Sequence, residues 1–578
     1  MKTTDTISSK QDKRMFRSKS QILRSLLTGF AVPFLLLICS ALSVYFSNAE
    51  EFVFQVKDFL PAYIILSLAM FIAISAVLIL TKGWLHNALF SLCAGGIICS
   101  YIQTFSTTLS FQGLPGDGTA LPPSQTQKII NLIVWIVLPA TILILSFFFS
   151  KTKIFTNILC FLIILVTFMQ VVSLVPTAIE ASQKSKDSES YYLSEENLLE
   201  LSSKDNIIVF VLDCFDRNFY LDLVENHPEI TEEFKGFTYY DDNIASYPRT
   251  FPATVSMISG MNTDFSLSRK DYFKEAYSTS PLLKDLKDNN YKINLYTPSF
   301  HGYDNADVFE GRVDNVCLSK GSRVTSEVGF LKRMLLLSSY FWLPDFMKSE
   351  TISANSFNEV VTLDGEVPKY NITNDTDARI YEELLQKGLT TQSEENTFTF
   401  LHIRGCHSPY AMNENCKVQT PGSVTASQQT RGAFKLICEY LRQMRELGIY
   451  KNSTIIITGD HADLKFNSTE YTEPMLTALL VKNKGEDSTP LKTSYAPVSQ
   501  ANLHASIAKG AQLDSSHDYG KAYDEIDENE TVTRVHYFQL HTGSERKDKN
   551  ITYNITGTGT DFANWEIISK EEIGYTYK

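Results

Sequence analysis

Long uncharged apolar runs dominate the first 175 residues of the chain, and short strand-like and helix-like patterns dominate the remainder. Five of the long runs have about 20 residues each, which is enough to cross a hydrocarbon core of about 30 Å. They are Leu26–Phe46, Leu60–Leu80, Ala88–Phe105, Ile129–Phe149 and Ile154–Val175. The first run is too long for a cleavable signal peptide, and further spans follow it. The pattern predicts a transmembrane domain of five helices over residues 24–175.

Basic residues are distributed unevenly around these runs, and their distribution predicts the orientation of the chain in the membrane. Seven precede the first run and three lie in the segments after the second and fourth runs: Lys2, Lys10, Lys13, Arg14, Arg17, Lys19, Arg24, Lys82, Lys151 and Lys153. Lysine and arginine favour the cytoplasmic side. We therefore expect a cytoplasmic basic tail at 1–23. Five spans then place everything after Val175 outside, so a multi-pass protein of the cell (plasma) membrane with an extracytoplasmic domain is predicted.

After a polar segment at 176–205, interpreted as a linker, buried-strand patterns alternate with helical ones. The β-branched run Asn206–Leu212 is typical of a strand covered on both faces. Further strands are predicted at Phe237–Tyr240, Tyr291–Tyr296, Phe398–Ile403, Asn452–Ile457 and Met475–Val481. This alternation predicts an α/β domain at 206–520, with a mainly parallel sheet and helices on both faces. Alternating runs at 521–578 predict a small antiparallel β appendage.

Residues 300–375 interrupt this alternation, with a helical pattern only near Val328–Leu337. We interpret them as an insertion that could shape a substrate cleft. Among the nine cysteines, Cys406 and Cys416 would close a short loop, and a disulfide between them is predicted if the domain lies in an oxidising compartment. The net charge of −13 fits a soluble outer domain and gives no indication of nucleic-acid binding.

One loop and helix carries a candidate nucleophile. Pro252 suits the first turn of a helix, so Thr250 is expected at or just before the helix N-terminus. Backbone N–H groups are unpaired there and the helix dipole is positive, which would stabilise an anion on the threonine oxygen. Threonine is also a common helix cap, and on this stretch alone the cap interpretation is favoured. Arg249, beside it, could neutralise a phosphate or simply lie at the surface.

Two predicted strands end in side chains that bind metal ions. Asp213 follows the strand Asn206–Leu212, and Asp460-His461 follows the strand Asn452–Ile457. Ligands of open α/β sheets gather at the carboxyl ends of the strands. Carboxylate, imidazole and hydroxyl groups together suit Mn²⁺, Zn²⁺ or Mg²⁺, and such an ion would lower the pKa of the Thr250 hydroxyl.

The order of these residues resembles the alkaline phosphatase/sulfatase superfamily over residues 206–520. Thr250-Phe251-Pro252 is similar to the Thr-Phe-Pro of the nucleotide pyrophosphatase/phosphodiesterases, and Asp460-His461 is similar to the metal-binding Asp-His of the family. Ser259-Gly260 follows as the Thr-Gly of the sulfatase motif does. Five spans before such a domain resemble the lipoteichoic-acid synthases and phosphoethanolamine transferases.

The resemblance implies a membrane-anchored, metal-dependent phosphotransferase that moves a phosphoglycerol- or phosphoethanolamine-type group. It implies a phospholipid donor, a cell-surface glycan or lipid acceptor and a phosphothreonine intermediate. By position, one divalent ion would be held by Asp213, Thr250, Asp460 and His461. His407, in the loop after Phe398–Ile403, would contact the phosphoryl group or the leaving oxygen, and Arg249 is a substrate-binding candidate.

Some residues of this chain differ from the motifs of the superfamily, and these differences reduce the number of possible activities. Thr250 cannot be converted to formylglycine and position 254 is not arginine, which disfavours a sulfatase. No Asp-x-x-x-His motif stands in the expected place before Asp460, which favours one metal ion over two. A phosphodiesterase or phosphatase that uses water as acceptor stays open, as does an inactive structural envelope protein. His301, His504 and His517 receive no role beyond lining a cleft.

Overall fold

The computed structural model describes the chain in two compact units. The described residues are 18–47, 49, 52, 54–110, 125–149, 153–184, 191–263, 265–267, 269–297, 306–319, 321–347, 357, 360–364, 367–463, 471, 473–542 and 547–574. The first unit comprises Met1–Ser188 and Ser322–Thr362, and the second comprises Glu189–Gly321 and Leu363–Lys578. Most of the predicted basic tail, and His301, lie outside the described residues. The predicted domain boundaries stay predictions.

Fourteen α-helices run through the described residues. They are α1 (Lys19–Pro33), α2 (Ser40–Ser47), α3 (Val56–Leu80), α4 (Gly83–Ser110), α5 (Gln125–Phe148), α6 (Lys153–Lys184), α7 (Arg217–Asn226), α8 (Thr250–Ser259), α9 (Arg269–Thr279), α10 (Pro281–Asp288), α11 (Glu327–Tyr340), α12 (Thr376–Lys387), α13 (Ala426–Glu446) and α14 (Leu503–Ala511). A π-helix, Phe34–Cys39, joins α1 to α2.

The first unit contains the apolar runs, and five of its described helices are long and apolar enough to cross a membrane, as predicted. The candidate spans are Lys19–Ser47, Val56–Leu80, Gly83–Thr104, Lys128–Phe148 and Ile154–Ala181. Each is longer than 20 residues, so each can cross a bilayer at a rise of about 1.5 Å per residue. Their outer surfaces expose large aliphatic and aromatic side chains, as helices do that face lipid.

Part of the predicted insertion belongs to this first unit. Helix α11 packs its buried residues Phe330, Met334 and Leu337 into one apolar cluster with Phe59 and other residues of the membrane helices. The expectation that 300–375 shapes a substrate cleft stays a prediction. An apolar helix face needs an apolar partner, and here the membrane helices supply it.

Eighteen strands are described. They are β1 (Tyr191–Leu193), β2 (Glu200–Ser202), β3 (Asn206–Leu212), β4 (Phe237–Tyr240), β5 (Asn243–Ile244), β6 (Tyr291–Tyr296), β7 (Val316–Leu318), β8 (Gly321–Val324), β9 (Val361–Asp364), β10 (Thr390–Ser393), β11 (Asn396–Ile403), β12 (Ser453–Gly459), β13 (Leu479–Lys482), β14 (Lys492–Ser494), β15 (Val498–Ser499), β16 (Thr533–Thr542), β17 (Lys547–Thr556) and β18 (Trp565–Gly574).

The main sheet of the second unit has seven strands in the order β14-β4-β13-β12-β3-β11-β6. All its pairs are parallel except those that β13 makes with β12 and β4, so the mainly parallel sheet is confirmed. Alternate residues of β3 enter different cores. Ile208, Phe210 and Leu212 belong to one cluster, and Ile207, Val209 and Val211 belong to the other. Helices therefore cover both faces, which explains the unbroken apolar run.

The register of the central strands decides where the site forms. Leu212 of β3 is paired with Ile403 of β11 on one side and with Gly459 of β12 on the other. The three strands thus end at the same level of the sheet. The residues that follow each strand, Asp213, Arg404 and Asp460, emerge side by side at its carboxyl edge, although they are separated by up to 247 positions in sequence.

The C-terminal appendage is an antiparallel sheet of three strands, β16-β17-β18, as predicted. Two other expectations were wrong. The segment 176–205 is not a simple linker, because α6 extends into it and β1 and β2 bury Tyr192, Leu193 and Leu201. Cys406 and Cys416 are not bonded to each other: the Cys416 thiol lies 3.5 Å from Met412 Sδ, and Cys406 accepts a hydrogen bond from Thr430.

Candidate active site

Asp213, Asp460 and His461 form a buried cluster at the carboxyl edge of the main sheet. One potential ligand atom from each lies within 4.8 Å of the other two. His461 Nε2 is 3.5 Å from Asp213 Oδ1 and 3.6 Å from Asp460 Oδ2. The structure therefore brings together three of the four residues that the sequence assigned to one metal ion.

The hydrogen bonds around the cluster leave its inward-facing atoms unused. Asp460 Oδ1 accepts the backbone N–H groups of Cys214, at 3.0 Å, and of His461, at 2.9 Å. Asp460 Oδ2 and Asp213 Oδ1 are buried and have no hydrogen-bond partner. Buried carboxylate oxygens without partners are costly, and a cation between them would remove that cost. The donor set therefore fits a divalent metal ion.

The tautomer of His461 supports the same arrangement. His461 Nδ1 lies 2.8 Å from the Ala462 carbonyl oxygen, so Nδ1 carries the proton and donates it to that oxygen. When Nε2 carries no proton, as in a metal-binding imidazole, its lone pair faces the two carboxylates. Metal-binding histidines are usually oriented by such a bond from the other ring nitrogen.

The charges of the cluster shift its pKa values in opposite directions. Burial alone raises the pKa of Asp213, but His461, 3.5 Å away, and the neighbouring His407 lower it below the usual range. Burial lowers the pKa of His461, but the charge of Asp460 and the bond to Asp213 raise it well above its usual value. The two shifts are those of an ion pair, because carboxylates beside an imidazole stabilise its charged form and are stabilised by it.

Thr250 lies at the edge of this cluster. Its Oγ1 is 3.4 Å from His461 Nε2. Helix α8 begins at Thr250, and the cap residue is Arg249, which makes no side-chain capping bond. The backbone of Phe251 is not helical, and its peptide bond to Pro252 is cis. Thr250 is therefore not the helix cap, and its hydroxyl is directed at the cluster instead.

The two predicted substrate-binding residues lie near this centre. The half-buried ring of His407 has its centroid 6.3 Å from that of His461, at a right angle to it, and its Nδ1 is bonded to the Ser408 carbonyl oxygen. Arg249 immediately precedes Thr250, and its charge acts on the buried Tyr471. Their roles in binding a substrate stay predictions.

Sequence reasoning missed His402, which points into the same region from β11. Its Nε2 is 3.9 Å from Asp460 Oδ2, the residue is fully buried, and neither ring nitrogen has a hydrogen-bond partner. Burial lowers the pKa of His402, which keeps the ring neutral. Its signal was the strand period of two: Phe398, Phe400 and His402 share one face, and only the histidine reaches the carboxyl edge.

Gln500 is a second residue that the sequence did not single out. Its side-chain amide donates to the carbonyl oxygens of Gly459 and Asp460, at 2.9 and 2.6 Å. Its Oε1 accepts the backbone N–H of Ser246, at 2.8 Å. Gln500 therefore joins the end of β12 to the loop that leads into Thr250. His504 had been given no role beyond lining a cleft. Its Nε2 lies 2.9 Å from the Met257 carbonyl oxygen, so it contacts α8.

The loop that carries His407 is held against β3 by a buried carboxylate and a glycine. Asp377 accepts the backbone N–H groups of Arg404, at 2.8 Å, and Gly405, at 2.9 Å. Burial raises the pKa of Asp377 to about 6, and the two backbone bonds oppose that shift. Gly405 has φ +55°, and a Cβ atom there would lie 2.7 Å from Leu212 Cα and 2.8 Å from the Asp213 nitrogen.

Replacing Gly405 with alanine is expected to displace Asp213 and to weaken metal binding, because the new methyl group meets backbone atoms that cannot move aside. Gly422→Ala is the matched control. Gly422 has φ +80° and open space where its Cβ would lie. The free energy of unfolding of the control should fall by only about 1–2 kcal/mol, because alanine is strained in a left-handed backbone. That of Gly405→Ala should fall by about 2 kcal/mol more, because of the steric clash. Thermal unfolding and metal content of both variants test this, and equal behaviour would contradict it.

Taken together, a mainly parallel sheet that presents two carboxylates, an imidazole and a hydroxyl at its carboxyl edge defines an α/β enzyme with a site suited to a divalent metal ion. The sequence model of the sulfatase family matches residues 205–513, which is more than half of the chain. The chain belongs to the sulfatase family.

Other comparisons give only distant similarities. No curated protein matches the chain. Among solved structures, the chain is similar to Ps i-CgsB in complex with k-i-k-neocarrahexaose, at 12% identity and a TM-score of 0.40 over 63% of this chain and 86% of that chain. It is similar to phosphonate monoester hydrolase SpPMH from Silicibacter pomeroyi, at 10% and 0.38 over 65% and 90%. It is also similar to the lipoteichoic acid synthase LtaP from Listeria monocytogenes, at 13% and 0.36 over 62% and 87%.

Proposed function

We propose that this membrane protein is a metal-dependent phosphotransferase with Thr250 as its nucleophile. It would move a phosphoglycerol- or phosphoethanolamine-type group from a phospholipid to a cell-surface glycan or lipid. The observation that carries the proposal is the position of the Thr250 hydroxyl, 3.4 Å from His461 Nε2, beside two buried carboxylate oxygens without hydrogen-bond partners. The presence of threonine at residue 250 argues against sulfatase activity, because threonine cannot form formylglycine.

Asp213, Asp460 and His461 would hold the ion (Mn²⁺, Zn²⁺ or Mg²⁺), with Thr250 as a further ligand. When bound, the ion would lower the pKa of the threonine hydroxyl and reduce the negative charge of the phosphoryl group. The Thr250 hydroxyl loses its proton and its oxygen attacks phosphorus. The bond from phosphorus to the leaving oxygen breaks, that oxygen takes up a proton to leave as an alcohol, and phosphothreonine forms. His407 would donate a hydrogen bond to the leaving oxygen, and Arg249 would balance phosphate charge.

The second half of the reaction regenerates the threonine. A hydroxyl group of the acceptor loses its proton, attacks phosphorus and displaces Thr250 Oγ, which is protonated as it leaves. The location of the unit outside the plasma membrane, proposed from the distribution of basic residues, would give it access to lipid and glycan at the cell surface. The net charge of −13 gives no indication that the protein binds nucleic acid.

Water could replace the acceptor, which would make the protein a phosphodiesterase or phosphatase with the same nucleophile. Thr250 and His407 are half-buried, so both water and a larger acceptor could reach them. An inactive envelope protein is the least supported alternative, since all the positions expected of the site are occupied by residues able to do the chemistry.

Labelled head groups separate these functions. Full-length protein in membranes is supplied with phosphatidylglycerol or phosphatidylethanolamine labelled in the head group, together with a membrane fraction that contains surface glycans and lipids. We expect label first on the peptide that contains Thr250 and then on a glycan or lipid, with neither in Thr250→Ala. Label that ends only in a water-soluble phosphate ester would establish the hydrolase. Label on neither peptide nor product, in protein with bound metal, would overturn the proposal.

A further inference from the structure

The inserted segment of 326–347 contains α11 and a short helical turn, Asp345–Met347, and it lies entirely within the first unit. It is not one of the five candidate spans. Its chain neighbours on both sides, up to Gly321 and from Leu363, belong to the second unit. The chain therefore leaves the sulfatase-like unit, joins the membrane helices and returns.

Two sets of contacts hold this segment to the membrane helices. The first is apolar. Phe330 packs edge-to-face on Phe54, at 4.9 Å between ring centroids, within the cluster that includes Phe59 and Tyr63 of α3. At the end of that contact, the hydroxyl oxygens of Tyr63 and Ser338 are 3.5 Å apart.

The second set is polar. The Gln103 amide of α4 donates to Asp345 Oδ1, at 3.2 Å, and the backbone N–H of Asp345 donates to Asn131 Oδ1 of α5, at 3.0 Å. Asn131 and Trp135 also donate to Gln103 Oε1. Polar groups in a membrane span are costly unless they are paired. This network pairs Gln103 and Asn131 and binds Asp345 to two spans.

All these contacts lie at one end of the helix bundle. Successive spans are antiparallel, so the start of α3, the end of α4 and the start of α5 are on the same side of the membrane. Tyr63 is seven residues past the start of α3, and Asn131 is three past the start of its span. At 1.5 Å per residue these positions are about 10 and about 5 Å deep. That is the depth at which interfacial helices lie.

Several large apolar side chains of the segment are exposed, beside the exposed Glu327 and Lys332. Val328 and Leu336, two turns apart on α11, are 82% and 40% exposed, and Phe346 and Met347 are 65% and 57% exposed. Lys332 lies between Val328 and Leu336 on the same face of α11 and is also exposed. Lysine beside apolar residues is typical of the membrane interface, where the ammonium group reaches lipid phosphates.

This apolar edge continues the surface that the spans present to lipid. Beside the anchored Asn131, Ile129, Ile130 and Ile133 of α5 are each more than half exposed. Beside Tyr63, Ile64 and Ile65 of α3 are 53% and 71% exposed. Such positions on membrane helices face the acyl chains. Phe346 and Met347 follow directly on the residue bonded to Asn131, so they lie next to that lipid-facing turn.

We propose that residues 326–347 are a membrane-docked segment, whose edge of Val328, Lys332, Leu336, Phe346 and Met347 is inserted into the bilayer interface. The occupant of this surface is lipid, since the edge is continuous with lipid-facing positions on two spans and includes the exposed Lys332, whose ammonium group suits lipid phosphates. The segment adds a sixth attachment to the bilayer, made by a piece of chain inserted in the sulfatase-like region. The proposal does not depend on the reaction that the enzyme performs.

Photocrosslinking to lipid tests the proposal on the full-length chain in nanodiscs of phosphatidylethanolamine and phosphatidylglycerol. The photoreactive p-benzoylphenylalanine replaces Phe346 in one variant and Tyr495 of the second unit in the control. The two native aromatic residues are equally exposed, at 65% and 63%. After irradiation, mass spectrometry of the peptides should show lipid adducts about ten-fold more often at position 346 than at 495, as expected of a bilayer-inserted side chain.

A second reporter at Val328, at the other end of the edge, guards against a local folding defect at position 346. Both reporters should give lipid adducts in protein that elutes as wild type does in gel filtration. Adduct yields at 328 and 346 no higher than at 495 would overturn the proposal. So would crosslinks from these positions mainly to a second copy of the chain, because that copy would then cover the edge in place of lipid.

Discussion

Replacing Thr250 with alanine is expected to lower turnover of a nitrophenyl phosphodiester by at least about 10³-fold, because the variant has no oxygen with which to attack phosphorus. The fold should be unaffected. Arg249, not Thr250, occupies the cap position of α8, and the Thr250 hydroxyl approaches His461 at 3.4 Å. Metal content should also persist, since Asp213, Asp460 and His461 are intact. Kinetic assays measure turnover, mass spectrometry detects phosphothreonine on the wild-type peptide, and elemental analysis measures metal content.

Two matched variants show whether the loss is chemical. Thr250→Ser keeps the hydroxyl and should retain measurable turnover and a phosphorylated peptide. Thr254→Val removes a buried hydroxyl four residues further along α8, without changing its volume, and should leave turnover close to wild type. The nucleophile assignment is wrong if Thr250→Ala turns over at more than a few per cent of the wild-type rate, or if Thr254→Val loses activity as Thr250→Ala does.

Replacing Asp460 with asparagine is expected to remove the metal ion while preserving the backbone around it. Asp460 Oδ1 accepts two backbone N–H groups, from Cys214 and His461, and an asparagine oxygen must take that position to accept them. The asparagine amino group then replaces Oδ2, the carboxylate oxygen that faces His461 and has no hydrogen-bond partner. An amide N–H₂ group donates hydrogen bonds and does not bind metal ions. Elemental analysis should show bound metal falling from about one equivalent to near zero.

Turnover should fall with the metal, again by at least about 10³-fold. Chelation of the wild-type protein should produce the same loss, and added Mn²⁺, Zn²⁺ or Mg²⁺ should restore the wild type but not Asp460→Asn. Asp463→Asn, a conservative change in the same loop, is the control and should keep its metal. Retention of both metal and turnover by Asp460→Asn would remove Asp460 from the site. Loss of metal with undiminished turnover would separate the ion from the chemistry.

Several elements were predictable from sequence because their signals are local. The five spans follow from runs of apolar residues long enough to cross a membrane, and β4 and β6 were predicted to the residue. The β-branched composition of β3 indicated a strand covered on both faces, and its residues enter two separate cores. Thr250, Asp213 and Asp460-His461 could be singled out because each follows a helix-start or strand-end signal and because their order resembles that of a known family.

The predictions that were wrong or missing concerned residues whose structural partners are distant in sequence. The strands β1 and β2 looked like a polar linker, because their pairing partners are β7 and β10, more than 100 residues away. The Cys406–Cys416 disulfide was inferred from loop length, whereas each thiol packs against other side chains. His402 was passed over as one more strand residue. Nothing in the sequence around α11 indicated that its apolar face is covered by membrane helices.

The sequence by itself determined the membrane spans, the α/β class and the identity of the groups able to bind a metal ion and attack a phosphoryl group, since these depend on composition and on periodicity within short windows. Only the tertiary structure decided which of those groups meet. The alignment of Leu212, Ile403 and Gly459 at one level of the sheet places Asp213 and Asp460 together, and backbone bonds turn one oxygen of Asp460 outward. Such register and orientation depend on pairing between strands nearly 250 residues apart, which no local pattern specifies.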